Sequence, residues 1–255
     1  MFNDESGRLA NVPSVETLRE AIKAHNGHLQ RMPNEGETLM KSLMDQIGDT
    51  VKGRTAEARL SPLEDEVRKY ILRNFAKTGK PPSDKAITEA MKLPSLETAR
   101  QIVEKLHRAD ILTKGENDVI SAYPFSAKAT RHKVIFQDGH EVYSLCATDA
   151  LGVHFMLHEN IAVRSRCPEC EGEMRIEMKD GRVASSVPEG IVEFVSNREQ
   201  CGCTAKTFCP SMNFFCSQEQ LEKWREKNPA YGKGEMYLLH QVSEHGKNIF
   251  GDFLK

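Results

Sequence analysis

The chain has 255 residues, 39% of them hydrophobic and 28% charged, which is enough to bury a core in one or two domains and too apolar for a disordered segment. Lys+Arg 35 against Asp+Glu 37 leaves a net charge of −2, so no global field draws the protein to nucleic acid or anionic lipid. The longest apolar stretches, around Val153 to Leu157 and Ile191 to Val195, fall far short of the about 18 residues a membrane helix needs. The polar start MFNDESGRLANVPS lacks the basic and apolar regions of a secretory signal, so the expected setting is the cytoplasm, with no membrane partner.

In chain order, two amphipathic helices are expected between Val15 and Val51, one striped by Val15, Leu18, Ala21 and Ile22, the other by Met40, Leu43, Met44, Ile47 and Val51. Methionines at helical spacing read as core filling rather than as a soft-metal box. Ser61-Pro62-Leu63-Glu64 is a capping box with proline at the first helical position, and it opens a helix that ends near Gly79. Shorter helices follow at about Ser83 to Met91 and Ser95 to Ala109, then a hairpin over Ile111 to Ile120 that turns at Gly115 to Asp118. Three helices and a hairpin make a winged helix-turn-helix pattern. The third helix mixes Arg100, Lys105 and Arg108 with Glu97 and Glu104, so DNA is not expected as a partner.

From Arg131 onward short β-type runs predominate: Lys133 to Gln137, Glu141 to Ser144, Ile161 to Ser165, Met174 to Met178 and Ile191 to Val195. Helices are expected over Ala147 to Leu157, Gln218 to Glu226, and Glu235 toward Leu254. The predicted class is therefore α+β: an N-terminal helical segment over 1–59, a winged helix-turn-helix-like module over 60–125, and a small-sheet α+β domain over 126–255.

Seven cysteines, all between Cys146 and Cys216, are an odd count, which argues for thiol chemistry rather than a disulfide scaffold. Cys146 follows a predicted strand and opens a predicted helix, where backbone N–H groups and the helix dipole favour a thiolate. Asp149 lies on the same face of the first turn, placed to move a proton beside that sulfur, although a buried cysteine and a first-turn aspartate are also common for purely structural reasons. Cys209 sits among aromatics in Thr207-Phe208-Cys209-Pro210.

Taken in order, Tyr123-Pro124-Phe125-Ser126, Thr130-Arg131-His132, Val142-Tyr143-Ser144-Leu145-Cys146-Ala147-Thr148-Asp149, and Phe208-Cys209 with Asn213-Phe214-Phe215 resemble the signature blocks of the alkylmercury (organomercurial) lyases. The resemblance covers roughly Ser61 to the C-terminus and implies that 126–255 is a catalytic domain. It implies that Cys146 and Cys209 are the two mercury ligands and Asp149 the proton relay, cleaving the carbon–mercury bond of an organomercurial to release a hydrocarbon and leave Hg(II) on two thiolates. No cofactor is then required, because mercury is substrate and product. Low-molecular-weight thiols or a mercuric reductase would take the ion onward, in a mercury-resistance and detoxification role. The sequence departs from that family in the segment before about Arg59, in Pro210-Ser211-Met212-Asn213 where a His-rich stretch is expected, and in its extra thiols.

Among those thiols, Cys167-Pro168-Glu169-Cys170 has the form of a zinc knuckle, and Cys201-Gly202-Cys203 follows about thirty residues later. A structural zinc on Cys167, Cys170, Cys201 and Cys203 stands against free cysteines or auxiliary mercury-transfer thiols. For the whole protein, the competing readings are a metal-responsive winged-helix regulator and a mercury-binding protein without turnover.

Overall fold

The computed structural model describes residues 52–116, 118–196, 204–207, 209–231 and 234–255, all within one unit that runs from Asp45 to Lys255. The amphipathic helices expected before Val51, and with them Cys201, Cys203 and Phe208, lie outside the described residues.

Helix α1 (Pro62–Thr78) begins at the capping box: the Glu64 amide donates to the Ser61 hydroxyl at 3.3 Å, and the Ser61 amide donates to the Glu64 carboxylate at 2.6 Å. Gly79, at φ 69°, ends it in the left-handed conformation that glycine adopts without steric cost. Helices α2 (Asp84–Ala90) and α3 (Leu96–Arg108) start at Ser83 and Ser95, whose side chains accept from the amides of Ala86 and Thr98. Strands β1 (Leu112–Lys114) and β2 (Val119–Ala122) form the expected hairpin.

That hairpin is not a separate appendage. β2 pairs with β3 (Phe125–Ser126), and β3 pairs with β5 (Glu141–Ser144), so the hairpin forms one edge of an eight-stranded sheet. Its order is β1-β2-β3-β5-β4-β6-β7-β8, with β4 (His132–Ile135), β6 (Ile161–Arg166), β7 (Glu173–Lys179) and β8 (Arg182–Val187) all antiparallel to their neighbours. The sheet is thus larger than the sequence pattern suggests. Phe125 on β3 stacks on Phe75 of α1 at 6.0 Å between ring centroids, which joins the helical layer to the sheet.

A second sheet has the order β10-β9-β11, with β9 (Val192–Val195) between β10 (Asn213–Phe215) and β11 (Glu235–Leu238). β11 corrects the expectation of a helix from Glu235: these four residues pair with β9 in register from Glu235↔Val195 to Leu238↔Val192. The helix starts only afterwards, as α6 (Leu239–Phe250). Between β10 and β11 lies α5 (Gln218–Lys227), whose Trp224 packs on Phe194, Phe215 and Tyr231.

At the centre runs α4 (Ala147–Leu157), buried at every residue from Ala147 to Met156. Helix α6 approaches it through glycines. A Cβ on Gly152 would stand 2.2 Å from the Phe250 ring, and one on Gly246 would stand 3.1 Å from the Gly152 nitrogen. Only bare backbone permits that approach. Since α4 begins at Cys146, this packing fixes where the thiol lies.

Candidate active site

The N-terminus of α4 has three amides that need acceptors, and each finds a different one. Ala147 donates to the Met212 carbonyl at 3.2 Å, Thr148 to Glu193 Oε1 at 3.1 Å, and Asp149 to Cys146 Sγ at 3.4 Å. The first bond pins the segment 209–212 against α4. There Cys209–Ser211 form a 3₁₀ turn, closed by the Met212 amide on the Cys209 carbonyl at 3.1 Å. The turn delivers Cys209 to the helix end, where its thiol donates to Asp149 Oδ2 at 3.9 Å. Ligand atoms of Cys146, Asp149 and Cys209 all lie within 4.8 Å of one another, and all three residues are buried.

A cavity of about 440 Å³ ends on this cluster. Its wall includes Leu145, His132 and Asn213, and Lys128, Arg131 and Lys206 give it a cationic character. Cys209 lines it, whereas Cys146 and Asp149 do not: they stand behind Cys209 in the protein interior. His132 is buried, with its Nδ1 3.1 Å from the Ser165 hydroxyl, and burial pushes its pKa down to about 4 against the hydrogen bond with Asn213. It therefore stands neutral at pH 7.

Burial also governs the acids. It pushes Asp149 up to about 7, although hydrogen bonds from Cys146 and Cys209 pull the other way. Burial raises Cys146 well above the usual thiol value, reinforced by Cys209, Asp149 and Glu193. This differs from the expectation of a thiolate at the helix start: desolvation by burial opposes the helix dipole and favours the protonated Cys146 sulfur.

Glu193 is a buried carboxyl of this site that the sequence reading did not single out. It lies fully buried in the middle of β9, and the Thr148 hydroxyl bonds to both its oxygens, at 2.8 and 2.9 Å. Burial carries it up to about 8, against the Thr148 hydrogen bonds and with the nearby Asp149 charge adding to the rise. A carboxyl flanked by apolar residues in a strand with no exposed face was the available signal.

The remaining thiol expectations divide. Cys167 and Cys170 come together, but the cysteine that joins them is Cys216, which sequence spacing did not single out. Cys201 and Cys203 are outside the described residues.

Residues 125–251 match the family model MerB: Alkylmercury lyase. The chain belongs to the alkylmercury lyase family. An alkylmercury lyase of Staphylococcus epidermidis is 22% identical over 208 residues, covering 82% of this chain and 83% of that protein. An alkylmercury lyase of Bacillus cereus is 23% identical over 110 residues, 43% of this chain and 49% of the relative. The fold is similar to that in the crystal structure of the mercury-bound form of MerB2, with a TM-score of 0.68 and 18% identity over 82% of this chain and 98% of that one. The family match begins at β3, the strand through which the helical layer joins the large sheet.

Proposed function

We propose that the protein is an organomercurial lyase in which Cys146 and Cys209 are the mercury ligands and Asp149 is the proton donor. The observation that carries this reading is the cluster itself: two thiols and one carboxylic acid, buried together at the end of a cavity. Family membership supplies the substrate class.

Cys209 lines the cavity and so meets the organomercurial first. Mercury(II) is soft and prefers thiolate donors, so the incoming R–Hg group exchanges its outgoing ligand for the Cys209 sulfur. The Cys146 sulfur then joins, and its proton passes to the outgoing ligand or to solvent. Two thiolates push electron density onto the carbon. Asp149, raised to about 7 by burial, holds a proton beside both sulfurs at neutral pH and delivers it to that carbon. The atoms balance: R–Hg⁺, two thiols and protonated Asp149 give R–H, a dithiolate-bound Hg(II), the Asp149 carboxylate and two released protons, one of which restores the Asp149 proton for the next turnover. Glu193 holds the Thr148 amide and hydroxyl, which fixes the helix turn that carries Asp149.

No organic cofactor takes part; mercury is first substrate and then product. External thiols, with a mercuric reductase as the downstream consumer, remove the ion by ligand exchange. No helix among the described residues is long and apolar enough to cross a membrane, and we place the protein in the reducing cytoplasm, where its thiols stay available. We retain a winged-helix-like module over 60–125 and a catalytic domain over 126–255. The regulator reading is not favoured, because the basic side chains around α3 face carboxylates: Arg100 meets Asp84 at 3.2 Å, Lys105 meets Glu64 at 2.7 Å, and Arg108 meets Glu104 at 3.2 Å.

The test is incubation of the purified protein with an arylmercury compound and excess thiol, with the released arene measured. Catalytic release supports the lyase; stoichiometric mercury binding without release would favour a sequestering protein instead.

A further inference from the structure

A second thiol cluster lies apart from the first and shares no residue with it. Cys167 and Cys170 lie in the turn between β6 and β7, and Cys216 lies between β10 and α5. We propose that Cys167, Cys170 and Cys216 form a binding site for one thiophilic divalent cation, zinc in the resting protein. Their sulfurs lie within 4.8 Å of one another, with Cys170 Sγ and Cys216 Sγ 3.2 Å apart. Thiolates each about 2.3 Å from one tetrahedral zinc stand roughly 3.8 Å apart, so a small opening of that pair admits the ion.

The turn is built for this. The Glu171 amide donates to the Cys167 carbonyl and the Cys167 amide to the Gly172 carbonyl, both at 3.0 Å, which folds CPEC back on itself. Glu171 adopts φ 54° to close the loop. At Gly172 a Cβ would stand 3.2 Å from Cys170 Sγ and 3.8 Å from Cys216 Sγ, so the missing side chain makes room for both sulfurs. The Cys167 sulfur receives hydrogen bonds from the backbone of Cys216, Cys170 and Glu169. Backbone amides aimed at one sulfur are what a metal-bound thiolate needs.

The two carboxylates of the turn are engaged elsewhere: Glu171 pairs with Arg131 at 2.9 Å, and Glu169 pairs with Lys227. Three thiolates around a divalent ion leave one net negative charge on the site. Among the described residues no fourth protein donor joins the cluster. The ion would tie the β6–β7 turn to the start of α5, and through β10 to the segment that carries Cys209. Binding releases the protons of the thiols, so affinity rises with pH.

The test is metal analysis of the full-length chain purified in reducing buffer without added metal, beside Cys216→Ser, Cys170→Ser and a Cys146→Ala/Cys209→Ala double variant. About one zinc per chain is expected in the wild type and the double variant, with a tenfold or greater loss in each serine variant. In case a serine variant fails to fold, alkylation of the wild type is mapped by mass spectrometry: exposed Cys170 should resist until a chelator is added. Zinc below about a tenth of an equivalent, with Cys170 alkylated equally fast with and without chelator, overturns the proposal. Zinc that disappears with Cys146 and Cys209 also overturns it, as does a Cys170–Cys216 disulfide surviving the reducing purification. None of these readouts involves an organomercurial, so they are independent of the lyase reading.

Discussion

At the residue scale, burial shifts two acids of the candidate site toward their protonated forms. Asp149 moves from 3.8 to about 7 and Glu193 from 4.5 to about 8, so both titrate near the neutral range. Carbon–mercury cleavage should fall as pH rises past about 7, because the Asp149 proton is lost; a single-turnover pH profile checks this. Asp149→Asn should slow cleavage by about 10²- to 10⁴-fold while Hg(II) binding, followed by competition with a chromogenic chelator, persists. The same shifts set a stability trend. Folded-state values raised above the unfolded ones mean that the native state binds more protons between pH 4 and 8, so stability declines as pH rises through that window. Glu193→Gln mimics the protonated acid and should shrink the decline, raising stability at pH 9 by on the order of 2 kcal/mol in urea titrations. An unchanged pH slope would mean that Glu193 is already ionised in the folded protein.

At the element scale, α4 and its glycine contact with α6 position the chemistry. Gly152→Ala would drive a methyl into the Phe250 ring, and overpacking of this kind costs about 1–3 kcal/mol. Urea midpoints should drop, and cleavage should weaken with them, because Cys146 and Asp149 ride on the displaced helix. A variant pairing Gly152→Ala with Phe250→Leu should regain part of both. That Cys146, Asp149 and Cys209 come together was expected from the resemblance of the sequence blocks around them. Other elements were not. Glu235–Leu238 carries apolar spacing that suits a helix, and only its pairing with β9, some forty residues earlier, makes it a strand. Strand β10 is three residues long after a proline and gave no periodic signal, so Cys216 at its end had no visible partner while the CGC pair did. The exposed, serine-containing β8 was likewise hidden, since it is a strand only by virtue of β7.

At the scale of the whole molecule, the capped helices and the hairpin were readable as a unit, but their fusion to the large sheet was not. Non-local ties make it, among them the β2–β3–β5 pairing, the Phe75–Phe125 stack and Arg68. Buried Arg68 on α1 donates to the Phe253 carbonyl at 2.9 Å and to Asp65 at 2.8 Å, and its guanidinium lies 4.8 Å from the centre of the Phe253 ring. Arg68→Ala should destabilise the protein by about 1.5–3 kcal/mol and loosen the C-terminus, seen as faster amide exchange beyond Phe250.

The central claim is that a proton, delivered between two thiols, replaces mercury on carbon. It is tested most directly by running the reaction with an arylmercury compound in D₂O and analysing the arene by mass spectrometry. The expected product is arene with one deuterium at the carbon that bore mercury, formed over many turnovers by the wild type and not at all by Cys209→Ala or Cys146→Ala. Arene without deuterium, or turnover by either alanine variant at the wild-type rate, would contradict it.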